Sequence, residues 1–256
     1  MITVSNPITI GQLVREQPTR SRVFDSLGID YCCGGKMSLD DACQLKGLCP
    51  DEVRRLLAEC DAERELFTDS SEMPADPDAM SLVDLAAHIE ETHHDYLKDE
   101  LPRLERMIEK VARAHGERDS RIIELRETFG AFRNELVSHM MKEEMVLFPM
   151  LRQLERHLAS ETVQVLPTFR FGGVVNPIRK LEYEHEHAGE ALARMRQLTD
   201  GFMPPDWACN TYRALLNALA FLERDMHQHV HKENNILFPK AIELEAQLEN
   251  EHAVPE

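Results

Sequence analysis

A chain of 256 residues with 43% hydrophobic side chains holds enough apolar material for one large domain, or a small one beside a medium one. Lysine and arginine number 29 against 46 aspartates and glutamates, a net charge of −17. That balance excludes nucleic acid and anionic membrane as main partners, because it lacks the basic footprint that phosphate binding needs, and without a run of about 18 apolar residues no membrane-spanning helix is expected.

The N-terminal MITVSNPITIGQLVREQ has neither the charged nor the apolar region of a secretory leader. Five of the six cysteines fall within the first 60 residues, and a cytoplasmic protein with reduced thiols is expected. Residues 9–16 and 19–27 read as short helices, the second closed by Gly28. The paired glycines of IDYCCGGKM mark a tight loop, Ser38 caps a helix over SLDDACQLKG, and Asp51 opens another to about Leu66. These pieces make a small helical, cysteine-containing domain over residues 1–67. A linker over 68–80 follows, rich in Ser, Asp and Pro.

Four long amphipathic helices come next: Ser81 to about His115, Ser120 to about His157, Asn176 to near Asp200, and from beyond Pro204-Pro205 to about Gln247. The class is all-α, with a four-helix bundle over residues 81–248. The segments HMMKEEMVLFPM and HVHKENNILFPK repeat a histidine, a glutamate four residues on, and LFP. His94 and His139 stand as far apart as His185 and His229 to within a residue, so the bundle reads as two related helical hairpins.

Phe132, Leu136, His139, Glu143, Val146 and Met150 form one helical stripe; His185 falls in line with Ile178, Leu181, Leu192 and Met195, and His229 and Glu233 with Leu222, Met226 and Ile236. His187, His227 and His231 fall off these stripes and read as surface residues. The first long helix is ambiguous: a stripe through Leu97, Leu101 and Leu104 selects His94, and one through Leu82, Leu85 and Ile89 selects His93. A lone inward histidine is most often a hydrogen-bonded core residue, but buried carboxylates are costly unless paired or metal-bound. Two in register beside several imidazoles therefore point to a metal site. The zinc-protease pattern HExxH is absent, and six donors exceed the usual four of zinc. Two metals sharing Glu143 and Glu233 as bridges would each receive two imidazoles and two carboxylate oxygens. On iron, about two positions per metal remain for an oxo or hydroxo bridge and a small molecule such as O2, peroxide or nitric oxide.

His-x3-Glu on bundle helices resembles the hemerythrin-like fold. DYCCGG at 30–35, HHDYLKDELP at 93–102, SHMMKEEMVLFP at 138–149, EYEHEHAGE at 182–190 and HVHKENNILFP at 229–239 together resemble the RIC family, di-iron proteins for the repair of iron centres, over residues 8 to 245. The resemblance implies two iron ions per chain, oxo- or hydroxo-bridged, with nitrogen from His94, His139, His185 and His229 and bridging by Glu143 and Glu233. It favours His94 over His93. His115 also matches a family histidine and is a candidate additional metal residue, although a histidine at a helix C-terminus has a sufficient electrostatic role there. The connection over 158–175 is longer than in shorter relatives. The proline of each LFP removes a backbone donor and can bend its helix around the site.

Cys32 and Cys33 read as accessible thiols for redox exchange or iron handling, with Lys36 placed to lower a thiol pKa. Cys43, Cys49, Cys60 and Cys209 read as structural. The function implied is repair of iron-sulfur clusters damaged by nitrosative or oxidative stress, by iron donation, with damaged iron-sulfur proteins as partners and NO and O2 as small ligands. The alternatives are nitric oxide reduction at the di-iron pair and a hemerythrin-like sensor of O2 or redox state. The sequence leaves a homodimer open.

Overall fold

The computed structural model describes residues 8–67, 76–158 and 173–252. Most of the expected linker (68–80) and of the connection over 158–175 lies outside the described residues. Helices account for nearly all regular structure among those described. By their contacts they divide into two compact units, one of residues 1–80 with 227–239, the other of residues 81–226 with 240–256.

The first unit carries α1 (Ile10–Glu16), α2 (Ser21–Leu27), α3 (Leu39–Lys46) and α4 (Pro50–Phe67). The sequence sets their ends. Thr9 and Ser38 accept the N–H of Gln12 and Asp41, each at 3.2 Å, satisfying donors that a helix start leaves open. Gly28 (φ 65°) and Gly47 (φ 67°) close α2 and α3 in the left-handed region. Ile10, Val14, Phe24, Tyr31, Leu39, Cys43, Val53 and Leu57 form the core. Arg20 grips the Asp61 carboxylate at 3.0 and 2.7 Å and fixes α4 against the turn that precedes α2.

The second unit contains α5 (Leu82–Ile89), α6 (Asp95–His115), α7 (Arg121–Lys142), α8 (Phe148–Leu158) and α9 (Val175–Leu198). Leu85, Leu97, Leu101, Phe129, Phe148, Leu151 and Leu154 are sealed from solvent, and burying each contributes roughly 1.5–3 kcal/mol. Ser81 caps α5, and Glu155 accepts the N–H of Leu82 at 3.0 Å. The expected start at Asn176 gives way to one at Val175, where Glu245 accepts the Val174 N–H at 2.9 Å. Helix α10 (Asn210–Lys232) and α11 (Phe238–His252) continue one helical run, whose ends group with the second unit and whose middle groups with the first.

Candidate metal centre

Three of the long helical runs contain one wide turn each: Glu90–His94, Glu143–Leu147 and Glu233–Leu237 are π-helical. In each, an N–H bonds the carbonyl five residues back: Asp95 to Glu90, Phe148 to Glu143, Phe238 to Glu233. Such bulges concentrate at functional sites. Pro149 and Pro239 follow the bonding phenylalanines, where a missing donor and a crowded preceding carbonyl favour a widened turn. In the first turn Thr92 Oγ1 takes the His88 carbonyl at 2.5 Å, competing with the ladder.

The first wide turn also explains the ambiguity between His93 and His94. Leu82, Leu85 and Ile89 are buried before it, and Leu97, Leu101 and Leu104 after it, so both stripes exist and the extra residue joins them. Both histidines are buried, on different partners. His93 Nδ1 meets Asp225 at 2.9 Å, whereas His94 Nε2 faces Glu143 Oε2 at 3.3 Å.

Glu143 opens the second wide turn and is fully buried. Its other oxygen, Oε1, stands 3.3 Å from His139 Nε2, and His139 Nε2 lies 3.0 Å from His185 Nε2. One carboxylate therefore addresses two imidazoles with separate oxygens. Two nitrogens bound to one metal at about 2.1 Å and at right angles lie roughly 3.0 Å apart, so the facing nitrogens have the spacing of co-ligands. The donors are imidazole and carboxylate, which suits iron. On the third run His229 Nε2 and Glu233 Oε1 are 3.1 Å apart and both residues are fully buried. These buried His/Glu clusters fit metal binding.

The far sides of two imidazoles are fixed as well. His94 Nδ1 bonds Glu144 at 2.8 Å, and Lys98 meets the same carboxylate oxygen at 2.8 Å. His139 Nδ1 bonds Glu184 at 3.0 Å, and Lys142 meets the other Glu184 oxygen at 2.6 Å. Burial opposes charge on Glu144, but hydrogen bonds from Lys98 and His94 outweigh it and hold the carboxyl below its usual range. The hydrogen bond from His139, helped by Lys142, pulls Glu184 down to about 2. With each Nδ1–H donated to a carboxylate, Nε2 keeps its lone pair for a metal. A cavity of about 400 Å³, lined in part by Phe132, Leu136, Glu184 and Met226, reaches His139 and His185.

Sequence periodicity passed over Glu144, Glu184, Lys98 and Lys142. The available signal was that Glu144 adjoins Glu143 and Glu184 adjoins His185. His115 is not brought to this cluster: it ends α6, a helix of 21 residues and so about 30 Å of rise from His94. There its Nε2 contacts Cys209 Sγ at 3.2 Å, and its ring stacks on Tyr212. His231, expected at the surface, is buried against Tyr31, with ring centres 5.5 Å apart. His227 bonds Asp25 at 2.9 Å.

The expectation of accessible thiols, one of them acidified by Lys36, is corrected for Cys32. Cys32 is buried and Cys33 half-buried, and the Cys32 thiol is raised well above its usual range by its hydrogen bond with Cys33, by burial and by Asp30. Lys36 does not reverse this. Among the other cysteines Cys43 is buried in the core, and Cys49 and Cys209 are exposed.

A helical fold with buried histidine and glutamate on wide helical turns defines a hemerythrin-class metal-binding protein, and residues 85–241 match the hemerythrin HHE cation binding domain. Residues 7–61 match a domain of unknown function (DUF542). The chain is 36% identical over 234 residues to the iron-sulfur cluster repair protein YtfE of Pectobacterium carotovorum, covering 91% of this chain and 96% of the relative. The YtfE proteins of Edwardsiella ictaluri and Enterobacter sp. strain 638 are 35% and 34% identical over the same shares. The chain belongs to this iron-sulfur cluster repair family.

Proposed function

We propose that the protein holds two iron ions and uses them to restore iron-sulfur clusters damaged by nitrosative or oxidative stress, by donating iron to the damaged protein. His94, His139, His185 and His229 would supply nitrogen, and Glu143 and Glu233 would bridge. The observation that carries this reading is Glu143, whose two oxygens each face the Nε2 of a different buried histidine. Within the second unit Glu143 is thereby shared between His94 and the His139–His185 pair, and on the third run His229 and Glu233 stand together, both buried.

Bound iron would supply redox chemistry and open positions for a small molecule such as NO or O2. The chain's own residues prepare for this. Glu144 and Glu184 orient the imidazoles, Lys98 and Lys142 balance their charge, and the cavity beside His139 admits small ligands. Open positions on a bound iron pair would give nitric oxide reduction as a second reading, tested by N2O release from the reduced, iron-loaded protein exposed to NO. Six free thiols support a cytoplasmic setting. Among the described residues no helix is long and apolar enough to cross a membrane.

The test of repair is reactivation of an enzyme with a damaged cluster. Iron-loaded protein is expected to restore activity faster than an equal amount of ferrous salt. Equal rates would refute iron donation.

A further inference from the structure

The loop between α2 and α3 gathers three potential donors away from the histidine cluster. Asp30 Oδ1 accepts the backbone N–H of Cys32 at 3.0 Å and of Cys33 at 2.9 Å, and it also contacts Cys32 Sγ at 3.1 Å. A bend held by Asp30 needs only the two backbone bonds; the thiol contact is additional. The ligand atoms of Asp30, Cys32 and Cys33 all lie within 4.8 Å of one another.

The loop is built to keep them there. A Cβ on Gly34 would come within 2.5 Å of the Asp30 carbonyl, so the chain folds back on Asp30 only with glycine at this position. Hydrogen bonds from Ile10 to Met37 and from Gly11 to Gly35, both 2.9 Å, close the base of the loop. Asn235 donates to the Cys32 carbonyl at 3.1 Å and anchors it from behind. Cys32 is buried while Cys33 is half-buried, so the cluster is closed on one side and open on the other.

We propose that Asp30, Cys32 and Cys33 form a mononuclear site for a thiophilic metal ion of the Zn(II) or Cu(I) class, separate from the histidine centre. Two thiolates and one carboxylate make a soft, anionic donor set, which such ions prefer over iron. Three protein donors leave a fourth position on the open side, the arrangement of exchangeable rather than closed structural sites. Binding replaces one proton on each thiol, so two protons leave per ion and no electron moves. The Asp30 carboxylate, 3.1 Å from Cys32 Sγ, adds negative charge that favours a cation at the same place. The site does not depend on whether the bundle carries iron.

The test titrates reduced, iron-loaded, full-length protein with Cd(II), reading the ultraviolet thiolate-to-metal absorption, which a histidine and carboxylate centre cannot give. Saturation at one equivalent is expected, with proton release and no loss of iron. Cys33→Ser should abolish the one-equivalent signal. Asp30→Asn keeps an oxygen for the Cys32 and Cys33 N–H groups and should weaken binding at least about tenfold. Cys49→Ser with Cys209→Ser, which removes the exposed thiols, should leave the signal intact. The proposal is overturned if absorption persists in Cys33→Ser, if Asp30→Asn binds like the parent, or if cadmium only displaces iron without a thiolate band.

Discussion

Replacing Glu184 isolates the part of the centre that works through an imidazole. Glu184 accepts His139 Nδ1–H at 3.0 Å and pairs with Lys142 at 2.6 Å, and together these contacts draw its carboxyl down to about 2. Against an ordinary glutamate this corresponds to about 3 kcal/mol of interaction with the charged form. Lys142 is 42% exposed, so solvent screens its share and about 1–2 kcal/mol remains for the contact with His139. Glu184→Gln keeps an acceptor but removes the charge that makes Nε2 more basic. Iron affinity should fall about tenfold, and Glu184→Ala should lower it toward a hundredfold. Competition with a ferrous chelator measures both, with far-ultraviolet circular dichroism checking the helices. Parent affinity in both variants would refute the role assigned to the far side of His139.

Other outcomes follow from the same geometry. His139→Ala or Glu233→Ala should lose iron yet keep helical content, because the apolar core is untouched; two irons retained in both, by metal analysis, would refute the bridging assignment. Gly35→Ala would place a Cβ 2.2 Å from Asn235 Oδ1 and 2.7 Å from the Tyr31 carbonyl, and should cost roughly 2–4 kcal/mol in urea unfolding. Burial lowers His231 to about 4, below its unfolded value near 6.5. The unfolded chain therefore takes up this proton first, so stability is full above about pH 7 and falls as pH drops toward 4, by about 3 kcal/mol. In iron-free protein His231→Gln should flatten that slope, and an unchanged slope in urea midpoints would refute it.

The all-α class, the helical runs and the inward stripes, on the second long helix as far as Glu143 and on the third, were legible because apolar spacing and capping residues encode them locally. Past Glu143 the wide turn buries Leu147 and Phe148 and leaves Val146 half-exposed. Ser38 and Gly28 end their helices where the sequence places them, and Thr9, counted there as the first helical residue, is the cap. The wide turns were not legible, since one extra residue in a turn leaves composition unchanged and only shifts the stripe. That shift is why spacing divided between His93 and His94. Glu144 and Glu184 escaped notice because each adjoins a more conspicuous residue and acts through an imidazole from another helix. His231 was misplaced because its buried side faces the Tyr31 loop, a long-range contact that helical periodicity does not report.

The most direct test of the central claim is the metal content of anaerobically purified protein, with spectra before and after oxidation. The account predicts about two irons per chain, magnetically coupled as a pair within one bundle. One zinc per chain, or iron that binds as isolated single ions, would contradict it.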